Sequence, residues 1–174
     1  AEVAAPRSGL ATFAAFNRAK ILLSTGDAAG ALAGLGRLKQ GHNLRAGGPG
    51  MPLSGEVELL RGVCYERMGR VSEAVAVYLG IPAGREAYFG NRATERLLAI
   101  GERPEGKAAV DGALRAALGA ARSAHASGNA AGAKAAADRA LRLTRDPALR
   151  AELLEVLRAS YAAMPTYARV VGER

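Results

Sequence analysis

Apolar residues in this chain recur three or four positions apart, and nowhere do Val, Ile and Thr gather into the apolar/polar alternation of a half-buried strand. Upstream of Gly69, Leu60, Val63, Cys64 and Tyr65 cluster toward one helical face. Downstream of it, Ala74, Val75, Tyr78 and Ile81 recur at the same spacing, so two amphipathic helices are expected to face each other across the glycine. The same periodicity predicts helices over 10–25, 27–39, 54–68, 71–79, 85–100, 107–127 and 130–145. A last helix starts at Asp146-Pro147, with Asp at the cap and Pro in the first turn, and runs to about Met164. Its Leu149, Leu153, Leu154, Leu157 and Tyr161 are read as sharing one face. The stretch 41–53, with Gly47, Gly48, Pro49 and Gly50, reads as a flexible loop, and 165–174 as a tail.

A glycine followed five residues later by alanine occurs three times, as Gly26 and Ala31, Gly69 and Ala74, and Gly128 and Ala133. Glycine can take the left-handed conformation that stops one helix, and alanine lets the next helix cross it closely. Around the middle copy, Gly62, Tyr65, Gly69, Ala74 and Tyr78 fall at the relative spacings of the tetratricopeptide consensus, and this segment resembles that repeat family. The flanking copies keep less of it: Ala19, Ala31, Leu35 and Leu38 around Gly26, and Ala121, Ala133, Ala137 and Ala140, with Pro147 soon after, around Gly128. The glycines lie 43 and then 59 residues apart, unlike the regular 34-residue tandem array.

The resemblance implies an all-α chain: a right-handed superhelix of antiparallel helical hairpins, a tetratricopeptide-like α-solenoid of seven or eight helices forming one domain over 1–164. It also implies a non-catalytic scaffold that binds a protein partner, or another domain of its own polypeptide, on the concave face made by the first helix of each hairpin. The residues placed there are Phe16 and Lys20, Glu66 and Arg67, and Arg115, Arg122 and His125. Arg115 and Arg122 lie two turns apart and flank the row leading to His125, an arrangement suited to a carboxylate-bearing peptide or an anionic glycan. Arg139, Arg142 and Arg145 form a second basic stripe, expected on the outside.

The segment from Tyr78 through Pro82 and on through Tyr88-Phe89-Gly90 to Leu98 is similar to the superhelical region of soluble lytic transglycosylases. That second resemblance implies a bacterial cell-envelope protein in the periplasm, associated with peptidoglycan and positioning a catalytic domain that is not in this chain. The catalytic Glu of that family is followed by Ser, and no Glu here is. The chain begins at Ala1 without a basic and then apolar leader, so a signal peptide is expected to be absent or already removed.

Composition narrows the chemistry. Apolar residues make up 49% of the chain but aromatics only 5%, so Ala and Leu must supply most of the packing. No stretch reaches the ~18 apolar residues of a membrane span. The net charge of +8 invites a nucleic-acid reading, but the excess is dispersed: 13 basic and 10 acidic residues over 1–106, and 11 and 6 over 107–174. The basic residues also lack the aromatic neighbours that stack bases, which argues against a nucleic-acid partner.

His42 and His125 lie in different elements without zinc spacing, the loop glycines lack the Lys-Ser/Thr pair of a phosphate loop, and no nucleophile elbow is present. No cofactor, metal or enzymatic activity is expected. Glu152 and Glu155 read as ordinary charge pairing with Arg158, and Cys64 as a packed core thiol. If Ala74 marks a close helix crossing, replacing it with Phe should overpack the crossing and cost about 1 to 3 kcal/mol. Thermal melting reads this directly, and an unmoved curve would refute the proposed packing.

Overall fold

The computed structural model describes residues 9–41, 44 and 52–164 of the chain. Among them are eight α-helices: α1 (Gly9–Ser24), α2 (Ala28–Gly41), α3 (Ser54–Arg67), α4 (Val71–Gly80), α5 (Tyr88–Gly101), α6 (Pro104–Ala126), α7 (Ala130–Leu141) and α8 (Pro147–Ala163). No strand occurs among the described residues. The expected loop falls mostly outside the described residues and the expected tail wholly so. The chain divides into two compact units, Ala1–Ala93 and Thr94–Arg174, with the boundary inside α5.

Three turns share one construction. Gly26, Gly69 and Gly128 have φ of 95°, 71° and 72°, the left-handed region that a side chain makes costly. At the end of α6 the Gly128 N–H donates to the His125 carbonyl (3.1 Å), and the Asn129 N–H reaches back to that of Ala124 (2.9 Å). The pairs Gly69 N–H to Glu66 and Arg70 N–H to Tyr65, and Gly26 N–H to Leu23 and Asp27 N–H to Leu22, repeat the pattern. These are the paired bonds of the Schellman motif, which satisfy carbonyls that a helix end leaves bare.

The residue after each glycine already caps the next helix. Asp27 Oδ1 accepts from the Gly30 N–H (2.7 Å) and Asn129 Oδ1 from the Gly132 N–H (2.9 Å), each satisfying an orphan donor of the first turn. Arg70 caps α4 with its backbone alone: its carbonyl accepts from the Ala74 N–H (3.1 Å). One residue thus ends the bonding of one helix and begins that of the next, which leaves no slack in the connection.

In the first unit α1 packs on α2, α2 on α3 and α3 on α4. Its core gathers Phe16, Ala19, Leu23, Ala31, Leu35, Leu38, Val57 and Cys64. Tyr78 is fully buried against Gly62, where any Cβ would collide with the Tyr78 ring, so the aromatic fits only because its neighbour has no side chain. In the second unit α6 packs on α7 and α7 on α8, around Ala117, Ala121, Ala136, Ala137, Ala140 and Leu153. Each of the three alanines five residues past a turn glycine, Ala31, Ala74 and Ala133, is completely buried.

Helix α5 starts at Tyr88 rather than near residue 85. The Ala87 N–H closes a turn onto the Gly84 carbonyl, Asn91 Nδ2 donates to that same oxygen (3.1 Å), and Gly90 lies against the Pro82 carbonyl with no room for a Cβ. Helix α6 starts earlier than expected because Pro104 occupies its first turn, where a missing N–H costs nothing. Helix α7 stops at Leu141, before the expected 145. Arg150 Nη1 donates to the Leu141 and Thr144 carbonyls (both 3.1 Å), while Asp146 Oδ1 caps α8 through the Leu149 N–H (3.0 Å). Leu154 departs from the expected apolar face of α8, since it is 53% exposed while Leu153 is buried.

The two kinds of glycine predict opposite responses to alanine. Gly128→Ala should cost about 1 to 2 kcal/mol for forcing a Cβ into the left-handed region. Gly112→Ala, mid-helix in α6 with open space around the new methyl, should stabilise by up to about 1 kcal/mol. Urea unfolding of the two variants, fitted with a shared m-value, gives both signs.

Candidate interaction surface

Four of the seven residues expected on a binding face bond or pack against other groups of the chain. Phe16 is 4% exposed, because Thr12, Phe16, Ala19 and Leu23 share the face of α1 that meets the core. Glu66 accepts a 2.5 Å hydrogen bond from the Tyr78 hydroxyl, which serves the one polar atom of that buried ring. Arg67 donates from Nη1 to the Leu23 carbonyl, tying the end of α3 to the end of α1. Arg122 donates from Nε and Nη2 to Glu152 Oε1 (3.0 and 2.8 Å), which joins α6 to α8.

Arg67 and Arg122 are nonetheless exposed, as are Lys20, Arg115 and His125. Lys20 lies with Nζ 5.4 Å from the centre of the Phe16 ring, a cation–π contact at the core's edge. Arg115 and His125 stand on α6 with no side-chain partner among the described residues. With Arg122 between them they fall within an arc of about 80° on the helix over about three turns. Arg115 and His125 are solvated with no internal bond to break, whereas Arg122 between them would have to release Glu152 before taking another carboxylate.

The expected outer stripe at the end of α7 is divided. Arg142 turns inward, 9% exposed, and donates from Nε to Thr94 Oγ1 (2.8 Å); burial first, and the charge of Arg139 second, hold its pKa below the ordinary guanidinium value. Arg145 instead reaches Glu102 (2.7 Å) on the surface. Glu155 pairs with Arg158 (2.8 Å), as the sequence suggested, whereas Glu152 is taken by Arg122. That partner is 30 residues away, and no local signal reveals it.

Other charged groups are also structural. Lys39 meets Glu58 (2.8 Å) between α2 and α3, and Glu58 is shared with Arg61 (2.8 Å). Lys134 pairs with Asp138 (2.7 Å) one turn on, and that bond, its largest influence, raises the pKa of the amine. Cys64 is a buried core thiol whose pKa burial pushes up, against smaller opposing influences from Arg67 and Arg61. Among the described residues no group of three or more His, Cys, Asp or Glu side chains is placed to hold a metal ion. No helix among them is long and apolar enough to cross a membrane.

The chain matches no protein-family model, and neither a curated protein nor a solved structure matches it.

The Arg122 and Glu152 pair is half exposed on both sides, so it belongs to the class of surface ion pairs that contribute about 0.2 to 1 kcal/mol. A double-mutant cycle with Arg122→Gln and Glu152→Gln should return a coupling in that range at low salt and near zero at 1 M NaCl. A larger, salt-insensitive coupling would show that the pair organises the α6 and α8 contact.

Proposed function

We propose that this chain is a non-catalytic scaffold of tetratricopeptide-like helical hairpins that binds a protein partner or another domain of its own polypeptide. Its paired helices are read as antiparallel hairpins whose first members present the docking surface. The observation that carries the reading is the thrice-repeated turn, a left-handed glycine followed five residues on by a fully buried alanine. Such turns make rigid helix pairs, and rigid pairs hold surface side chains in fixed register without ordering them anew on binding.

On α6 that register presents Arg115 and His125, which no internal bond consumes among the described residues, beside the paired Arg122. Planar guanidinium groups favour carboxylates, so an acidic segment of a partner protein fits the row. Lys20 adds a further exposed cation, on α1.

Photo-cross-linking from positions 115 and 125, with position 148 as the control, tests this in a lysate of the source cells. The expected result is one discrete protein adduct at 115 and 125, absent at 148, and at least tenfold weaker when Arg115→Glu is combined with the probe at 125. Co-sedimentation of the chain with purified peptidoglycan and no protein adduct would instead make the surface a glycan site. Recovery of RNA that falls away steeply with salt would make it a nucleic-acid site.

A further inference from the structure

Helix α1 is apolar on two opposite sides. One side, built from Thr12, Phe16, Ala19 and Leu23, is buried in the core of the first unit. On the other, Leu10 is 78% exposed, Phe13 45% and Ile21 61%. Leu10, Ala14, Asn17, Ile21 and Ser24 follow one another at steps of four, three, four and three residues, the spacing of a coiled-coil seam. Arg18 and Lys20 lie about 80° to either side of that seam, at the flanking positions that choose a partner by charge. The helix contains no acidic residue, and neither flanking cation has a carboxylate partner among the described residues.

We propose that this outer seam of α1 docks an amphipathic helix of a partner whose apolar stripe is flanked by carboxylates. Three observations select that occupant. Helix α1 carries basic and no acidic side chains, so a second copy laid along the seam would oppose like charges on both flanks. The seam is narrow, with Asn17 on its midline, where a helix lying in a lipid interface presents a broad apolar face. The alternation of large Leu10, small Ala14 and large Ile21 provides knobs and a hole for the side chains of a facing helix. The polar Asn17 at the centre fixes register against a partner that offers it a hydrogen bond.

This inference rests on reading the chain as a protein-binding scaffold, but it concerns a different helix from the Arg115 and His125 row. The probe is a designed helical peptide of three heptads, with Leu on its seam, one Asn at its centre and Glu at the flanking positions. A matched peptide carrying Lys at those positions is the control, and fluorescence anisotropy with the full chain is the readout. The Glu peptide should bind and the Lys peptide should not. Ile21→Asp and, separately, Leu10→Asp should weaken binding at least tenfold without moving the melting curve, since both residues are exposed. Arg18→Glu with Lys20→Glu should reverse the preference between the peptides, whereas Arg115→Glu should leave it untouched, which separates a failure here from a failure on α6.

Absence of binding, equal binding of both peptides, or indifference to Ile21→Asp overturns the proposal. So does a concentration-dependent dimer in sedimentation velocity that Ile21→Asp abolishes, which would give the seam to a second copy. Flotation with vesicles of anionic phosphatidylglycerol that is lost in Ile21→Asp would give it to lipid. Binding that emerges only after removal of residues 1–8 would give it to the chain's own amino-terminal segment.

Discussion

Paired helices can approach closely only where side chains leave room, and in this protein the room recurs at fixed distances from three glycines. Seven residues before each stands Ala19, Gly62 or Ala121, and five residues after it Ala31, Ala74 or Ala133, all of them buried. The glycine must be left-handed for one helix to stop and the next to start at once, and the small residues must be small for the second helix to lie close against the first. Where a large residue enters, its neighbour shrinks: Tyr78 occupies the place that Gly62 vacates. Close approach also explains how a chain with so few aromatics holds a core, because many small side chains in contact recover by packing what each lacks in area.

The consequence for the charged residues is that several of them work as fasteners. Arg67, Arg122, Arg142 and Arg150 each reach a group on another element, three of them through a carbonyl or hydroxyl rather than a full ion pair alone. Arginine suits this, since its planar fork satisfies the bare carbonyls of a helix end while its stem covers apolar surface. An Arg-rich, positively charged chain therefore need not be a polyanion binder. Its excess charge is partly bound up in joining helices, and Arg18, Lys20 and Arg115 are among the exposed basic side chains left without a carboxylate partner among the described residues.

Those leftovers define two surfaces of different chemistry. The α6 row is polar and basic, with Arg122 held in place by Glu152. The α1 seam sets exposed Leu10 and Ile21 about a central Asn17 and carries its basic side chains at the margins. Both lie on helices whose buried faces are fixed by turns of the same construction, so the backbone positions of these groups are already set.

The sequence by itself determined the helical class, the three turning points and most helix limits, because periodicity, left-handed glycines and the Asp146-Pro147 start are local properties that the chain carries wherever it folds. It also marked Ala31, Ala74 and Ala133, since a small residue at a repeated distance from a turn has a packing reason that needs no coordinates. Phe16 was legible too, by its spacing from Thr12, Ala19 and Leu23, but its place in the repeat assigned it to the concave binding face instead. Only the tertiary structure decided that Arg122 meets Glu152, that Arg142 turns inward to Thr94, and that α5 begins beyond the turn closed on Gly84. Each of these depends on which groups meet in space across elements or across a turn. A long cationic side chain reads the same in sequence whether it faces water or a carbonyl, and only its surroundings choose.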